Sequence, residues 1–460
     1  MSNMPAQQAL GTGNVKKLLL QLAVPAVLGQ VVNLLYNIVD RIYIGHIPVV
    51  GADALTGVGL FNAILMLITA FAMLLGSGGA PLAAISMGRQ EKDKAEKILG
   101  NCFTMLMLLA VALTAVLYYL CPTLLRLFGA SENTLPYALQ YGRIYIAGSI
   151  FVLTVMGMNP FITTQGFAKI SMLTTMIGAV CNIVLDPIFI FVLDLGVAGA
   201  ALATVISQAI SAVWIISFLT GKKTILRLRP SCMMLNRKII FPCMALGVST
   251  FVMMSTESLL SISFTSSLAR YGGDLAVGAM TILASLNQLM FMPLSGICQG
   301  GQPIISYNFG ANQPKRVKEA FFTQMVACVG YTTLFWLAIM LAPRFFTGLF
   351  TDNAQLAQYS AWAVRIFLAG GFAMGLQNCC QQSFMALGQA KVSLLMACLR
   401  KLVLLIPLIF LLPSFIDNQV FAVFLAEPIS DIAAAAVTTT VFLTGFGTIL
   451  KKGPQKNESC

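Results

Sequence analysis

The chain has 460 residues, of which 58% are hydrophobic and only 10% are charged, and its mean hydropathy is +0.85. This composition excludes an ordinary soluble protein and is typical of a chain that crosses a membrane many times. A net charge of +12 would suit a nucleic-acid partner, but we expect none, because the basic residues cluster in the loops on one side of the predicted spans.

Apolar stretches of about 20 residues are the units that cross a bilayer, and the sequence contains twelve of them. We therefore predict an all-α polytopic membrane protein with twelve transmembrane helices. The predicted spans are Leu18–Ile44, Leu55–Met87, Leu99–Leu120, Ile144–Ile162, Ile170–Leu193, Gly196–Leu219, Ile239–Leu268, Leu275–Tyr307, Ala320–Leu341, Ile366–Leu387, Val392–Leu412 and Gln419–Leu450.

Most of the 28 Lys and Arg residues fall in the N-terminal segment, in alternate loops or in the C-terminal tail. Because basic loops stay inside, this pattern predicts that both termini lie in the cytoplasm. The first span is too long for a cleavable signal, so we expect it to serve as the anchor. We predict a multi-pass protein of the bacterial cytoplasmic membrane.

The first span carries an unusual polar face. Asn33, Asn37 and Asp40 follow one another at helical spacing, and Tyr36 lies one turn before Asp40. Pro25 predicts a bend earlier in the same helix. An alternative is that Asp40 lies near the outer membrane interface and only pairs with Arg41.

The fifth span is interrupted by Asn182 and by Asp186 next to Pro187. A carboxylate at mid-bilayer costs about 2.5–3.5 kcal/mol, so such a residue normally belongs to an ion or substrate path. Asn182 and Asp186 share a helix face, which predicts a small-cation or proton site. The alternative is a carboxylate that only bonds neighbouring helices. In the sixth span, we expect Gly196 and Ala200 to permit close approach to the fifth.

Many residues recur at a spacing of 222 positions, for example Gly88 with Gly310 and Lys169 with Lys391. Such a parallel duplication predicts two six-helix lobes. The predicted boundaries are an N-lobe of residues 1–220, a cytoplasmic linker of residues 221–238 and a C-lobe of residues 239–460. Glu257, 217 residues after Asp40, is the one acid of the seventh span.

Enzymatic and metal chemistry have little support in the sequence. There is one histidine and no C-x-x-C pair among the eleven cysteines, so we expect no structural metal site. A phosphate-binding glycine loop is also missing, which argues against an ATP-driven pump. We predict a protein that is not an enzyme and has no cofactor.

Taken together, these motifs resemble the MATE (multidrug and toxic compound extrusion) transporters, in particular their bacterial DinF-like branch. The resemblance covers all twelve spans. Its most specific residues are the polar face of the first span, the Asn182–Pro187 segment and residues 196–204. It implies a V-shaped pair of lobes around a central cleft, which exports drugs or metabolites in exchange for Na⁺ or H⁺.

The resemblance also implies the roles of particular residues. A cation site in the N-lobe would use Asp40, Asn182, Asp186 and Thr204, and these would be the metal ligands if the ion is Na⁺. The expected substrate-binding residues are Asn33, Tyr36, Asn37, Asn159 and Glu257. We expect small-molecule drugs or metabolites and membrane lipids as partners, and a monomer. The resemblance implies no acidic partner for Glu257, since the tenth span carries none.

Physical chemistry leaves the coupling ion open. Sodium is a hard cation that these oxygen atoms suit, whereas two facing carboxylates could equally share one proton. Two other functional classes also stay open. A lipid-linked saccharide flippase could use a similar bilobed fold and would need a cationic cavity, for which Arg400 and Lys401 in the eleventh span are candidates. A receptor or channel fits the duplication and buried acids less well.

Overall fold

The computed structural model describes residues 6–48, 50–351 and 353–453, and nearly all of them are helical. The helices are α1 Ala6–Thr12, α2 Val15–Gly45, α3 Gly51–Gly88, α4 Lys92–Leu127, α5 Leu135–Ala147, α6 Ser149–Thr164, α7 Ala168–Pro187, α8 Gly196–Thr220, α9 Arg237–Gly310, α10 Pro314–Leu341, α11 Pro343–Gly348, α12 Ala354–Phe367, α13 Gly371–Ala386, α14 Ala390–Cys398, α15 Ile406–Leu411 and α16 Gln419–Lys452. Two π-helical segments, Ile188–Val192 and Leu399–Leu405, continue α7 and join α14 to α15.

The twelve predicted spans are confirmed. In the described part of the chain, nine helices are long and apolar enough to cross a membrane, and the bent pairs α5–α6 and α12–α13 make eleven. The twelfth arises because α9, with 74 residues, is broken at Gly273, whose φ of 62° is not helical. A continuous helix of that length would reach about 110 Å, several times the hydrocarbon core of a bilayer. Glycine accepts this positive φ without strain.

The helices form two lobes of six spans, α2–α8 and α9–α16. Each lobe has one bent span, with an angle of 58° between α5 and α6 and 50° between α12 and α13. The bends occur at Gly148 and Gly370, two glycines that the 222-residue repeat pairs. The duplicated sequence thus produces the same local distortion in both lobes.

The lobes touch at one end of the bundle, the end where residues 221–236 connect α8 to α9 and which we call the linker end. There α3 crosses both halves of α9 so closely that Gly78, Gly88 and Gly310 leave no room for a Cβ atom. The Ser77 hydroxyl donates a hydrogen bond of 3.0 Å to Thr250 across the same contact. Small residues at such crossings let helix backbones approach.

The linker itself is bound to the N-lobe. Gln165 Oε1 accepts three hydrogen bonds of 2.8 Å from the linker, two of them from backbone N–H groups. Glu96, whose side chain is 2% exposed, pairs with Arg229 at 3.4 Å. Asn101 accepts a hydrogen bond of 2.6 Å from the N–H of Asn236. Because these bonds all go to one lobe, we expect the linker to move with it.

Candidate cation and substrate sites

Four polar side chains from three helices meet inside the N-lobe. Asp40 comes from α2, Asn182 and Asp186 from α7, and Thr204 from α8, and none of them is more than 8% exposed. Asn182 and Asp186 face the same way because they are one turn apart. α7 reaches this point as a regular helix and widens into the π segment directly after Pro187. Such segments are frequent at functional sites.

Hydrogen bonds fix the orientation of three of these side chains. The Asn182 amide donates to Asp186 Oδ1 at 3.2 Å and to Thr204 Oγ1 at 3.3 Å. The Thr204 hydroxyl gives its own proton to the carbonyl of Ala200 at 3.0 Å. A hydroxyl has two lone pairs, so its oxygen keeps acceptor capacity on the side of the two acids.

The Asp40 and Asp186 carboxyls lie close enough to interact with each other. Asp40 Oδ1, Asp186 Oδ2 and Asn182 Oδ1 are buried and have no hydrogen-bond partner among the described residues. No ion pair between either acid and a basic side chain is found in that part of the chain, and Arg41 is exposed. Buried charge without a counter-charge is costly, so the geometry favours a bound cation or a shared proton over the Asp40–Arg41 pair.

The close approach of α8 to the π segment after α7 depends on a different glycine from the one we predicted. At Gly199, a Cβ would lie 2.6 Å from the backbone of Phe189. Gly196 has a φ of 53° and no atom within 4 Å of a Cβ, so it serves the turn before α8 and not the helix contact. The predicted role of Gly196 in helix packing was therefore wrong. Gly196 forms the turn, and Gly199, three residues later, makes the close contact.

Three tyrosines surround the acids, and only Tyr36 was expected. Tyr36 and Tyr141 lie close enough to Thr204 to interact with it, and Tyr145 lies close enough to Asp40 to do the same. Tyr141 and Tyr145 are stacked, with ring centroids 6.0 Å apart. Their spacing of four residues in α5 was the signal that could have identified them. They form an aromatic wall on one side of the site.

None of the other predicted polar residues forms a hydrogen bond with the acids in the described part of the chain. The Asn37 side chain is exposed and donates to the Asn33 carbonyl of its own helix at 2.6 Å, and Asn33 is half-buried. Asn159 donates to the carbonyl of Ser171 at 3.4 Å. Ser171 precedes Asp186 by fifteen residues, about 22 Å along a helix. The structure therefore separates Asn159 from the cation site.

The C-lobe contains a second charged cluster, which the sequence interpretation largely missed. Arg400 donates to Asp431 at 2.8 Å and to Glu427 at 3.4 Å, and both acids belong to α16. Lys401 pairs with Glu257 and also donates to the Met253 carbonyl at 2.9 Å. We expected Glu257 to lack an acidic companion; the structure pairs it with a base, Lys401, and places two acids, Glu427 and Asp431, on the neighbouring Arg400.

Glu427 and Asp431 carried a signal in the sequence. Glu427 is followed directly by Pro428, as Asp186 is by Pro187, and the two α16 acids share a helix face. The π segment turns both Arg400 and Lys401 inward. Arg400 pairs with these two buried acids, and Lys401 pairs with Glu257.

The family model described as MatE matches residues 25–188 and again residues 249–411, once in each lobe. The chain belongs to the MatE family. Its members are membrane transporters, so the chain is a multi-pass transporter and not an enzyme.

MatE relatives with known names match along almost the whole chain. "Multidrug export protein MepA" of Staphylococcus aureus strain N315 is 22% identical over 427 residues, which cover 92% of this chain and 93% of that protein. The protein of the same name from Staphylococcus saprophyticus is 23% identical and covers the same shares.

Solved MatE structures agree on the fold. A MATE crystal structure in the bent conformation has a TM-score of 0.91, with 23% identity, and covers 98% of this chain and 99% of its own. An outward-facing multidrug resistance MATE transporter reaches 0.90, with the same identity and 98% and 100% coverage. A MOP superfamily transporter from Pyrococcus furiosus, for which a binding pocket of reversed polarity is described, also reaches 0.90, at 23% identity and 98% and 99% coverage. These similarities confirm the twelve-helix, two-lobed architecture.

The flippase alternative loses its main support in this structure. It required a cationic cavity, for which Arg400 and Lys401 were the candidates. Both are engaged by acids, Arg400 by Glu427 and Asp431 and Lys401 by Glu257. Three acids against two bases leave this cluster with a formal charge of −1, so it offers no excess positive charge to a pyrophosphate group.

Proposed function

We propose that this protein exports hydrophobic, often cationic drugs or metabolites in exchange for Na⁺ or H⁺. One observation carries the proposal: two buried carboxylates from separate helices, Asp40 and Asp186, have no basic partner in the described structure. Such a pair attracts a cation of either kind. The export direction and the variety of substrates rest on the MepA relatives, which are named as multidrug export proteins.

The coupling mechanism needs only mutual exclusion. An organic cation and a coupling ion both gain energy from the negative charge of Asp40 and Asp186, so binding of one weakens attraction for the other. When the ion binds between the carboxyls, Asn182 and Thr204, it reduces that negative charge and the drug leaves. We propose that α2, which carries both Pro25 and Asp40, transmits the change by bending.

Orientation relative to the membrane is part of the proposal. If the linker end is cytoplasmic, the contacts between α3 and α9 close the cytoplasmic side, and the cleft opens outward. When the lobes return to an inward-open form, the bound ion would be carried into the cytoplasm. The membrane potential contributes about 2.3 kcal/mol per net charge and 100 mV, so it drives the cycle whenever more positive charge enters than leaves.

Uptake of ethidium into everted vesicles tests the function, with Na⁺ and H⁺ gradients imposed separately. We expect uptake with one of the two gradients and none in vesicles without the protein. If neither gradient supports uptake of ethidium by a folded protein, the exchange function is wrong.

Orientation can be measured with two single substitutions in exposed loops. Ser231 lies in the linker and Glu132 lies at the opposite end of the bundle, and each is replaced by cysteine. A membrane-impermeant maleimide should label Glu132→Cys in intact cells, and should label Ser231→Cys only after the cells are opened. The reverse result would invert the topology and with it the direction of transport.

A further inference from the structure

The two residues of the ion pair between Lys401 and Glu257 differ in how far they are exposed. The Lys401 side chain is 10% exposed, whereas the Glu257 side chain is 60% exposed. Lys401 also donates to the Met253 carbonyl at 2.9 Å, which ties its ammonium group to α9. The ammonium is therefore held in place and buried, while the carboxylate that neutralises it is open to a ligand.

Glu257 faces the space between the lobes. It lies seven residues after Thr250, so it shares a face of α9 with Thr250, two turns further from the linker end. Thr250 accepts the hydrogen bond from Ser77 of the N-lobe. The same face thus meets the other lobe at Thr250 and is exposed at Glu257, which places this carboxylate where the cleft has opened.

The buried ammonium sets a condition on any ligand of Glu257. A simple cation that takes the carboxylate leaves Lys401 buried without its counter-charge, which is strongly unfavourable. Arg400 cannot release a carboxylate in exchange without losing Glu427 or Asp431. A ligand that brings a carboxylate of its own restores the balance, because its cation binds Glu257 while its anion binds Lys401.

From this arrangement we propose that Lys401 is a specificity-determining residue of the substrate site. Lys401 and Glu257 form an ion pair that a ligand has to displace in order to bind. Ligands that carry both a cationic group and a carboxylate are therefore preferred to ligands that carry a cation alone. This inference rests on the proposed function, because it assumes that substrates enter the cleft between the lobes.

Two dyes that differ in a single group test the proposal. Rhodamine B carries a delocalised cation and a free carboxylate, and in rhodamine B ethyl ester the carboxylate is blocked. Binding of each dye to the purified protein is measured by fluorescence polarisation. We expect the wild type to prefer rhodamine B by about tenfold, equivalent to ~1.4 kcal/mol.

Lys401→Met should reverse this preference. It frees the exposed Glu257 carboxylate, so the ester should bind more tightly and rhodamine B less tightly than in the wild type. Lys401→Gln keeps a donor for the Met253 carbonyl and should give the same reversal if the Met variant folds poorly. Lys391→Met is the matched control, because Lys391 is exposed at the start of the same span, and it should leave the preference unchanged.

The outcomes separate this inference from the function on which it rests. If the wild type does not distinguish the dyes, or if both Lys401 variants keep its preference, the role of Lys401 is wrong even though ethidium exchange continues. If the wild type binds neither dye and moves no ethidium, both the inference and the proposed function are wrong. A reversal seen only at position 401 supports the inference.

Discussion

The two lobes share a fold, but they treat buried acids in opposite ways. In the described part of the N-lobe, Asp40 and Asp186 lie close together without an ion-paired base, which gives a formal charge of −2. In the C-lobe, the five-residue cluster of Glu257, Glu427, Asp431, Arg400 and Lys401 has a formal charge of −1, because its two bases are part of the protein. The two duplicated lobes have the same arrangement of helices but differ in the charged groups that accompany their buried acids.

This difference indicates where a mobile ion is needed. A buried carboxylate must be neutralised by something. Among the described residues, the groups beside the N-lobe acids are uncharged, such as Asn182 and Thr204, so we propose that a cation from solution completes the site. The C-lobe carries its own cations on the π segment Leu399–Leu405. We therefore propose that ion coupling belongs to the N-lobe and substrate selection to the exposed edge of the C-lobe cluster.

The largest expected effect is loss of coupling in Asp186→Asn. The substitution preserves shape and removes the charge on which the site depends, so ethidium uptake driven by either gradient should fall to the level of empty vesicles. Asp194→Asn is the matched control, since Asp194 is exposed and its φ of 52° suits asparagine. Asp40→Asn should behave as Asp186→Asn does. Undiminished uptake in both site variants would move the coupling site elsewhere.

In the C-lobe, the corresponding change should affect folding. Arg400→Met leaves Glu427 and Asp431 buried without their base, which we expect to lower the free energy of unfolding by about 3–5 kcal/mol. Arg41→Met, the same substitution at an exposed arginine beside Asp40, should cost little. Thermal unfolding of the two purified variants measures the difference. Equal stability would show that the C-lobe bases are not structural counter-ions.

A smaller effect is expected at Thr204. Thr204→Ala removes one neutral oxygen from the N-lobe site, so the affinity for the coupling ion should fall about fivefold, equivalent to ~1 kcal/mol. Thr204→Ser keeps the hydroxyl and should retain the wild-type affinity. The ion concentration that gives half-maximal ethidium uptake reports both values. If the Ala variant matches the wild type, Thr204 does not contribute to ion binding.

Prediction from the sequence worked where a residue conflicted with its surroundings. Asp40 and Asp186 are conspicuous because a carboxylate in an apolar span demands an explanation, and helical spacing alone places Asn182 beside Asp186. Glu427 and Asp431 lie in the last span and are neutralised by Arg400 from another helix, a pairing that only the packing of α16 against the π segment reveals.

Backbone detail was the other limit. Gly196 and Gly199 are both glycines at the start of the sixth span, so the sequence does not distinguish them. In the structure, Gly199 packs against the backbone of Phe189, whereas Gly196 forms the turn before α8 with a φ of 53°. The loop before α8 decides which glycine does which. The separation of the seventh and eighth spans, which the structure places at Gly273, was easier to predict, because the region from Ile239 to Tyr307 is too long to cross one bilayer once.

The most direct test of the assignment of coupling to the N-lobe is the ion dependence of drug binding. Ethidium affinity of the purified protein is measured against Na⁺ concentration at fixed pH and against pH without Na⁺, in the wild type, in Asp40→Asn, in Asp186→Asn and in the charge-balanced double variant Glu257→Gln with Lys401→Met. We predict that one ion weakens ethidium binding in the wild type and the double variant, and that this dependence is absent in both Asn variants. Dependence that persists in the Asn variants and disappears in the double variant would contradict the account and place coupling in the C-lobe.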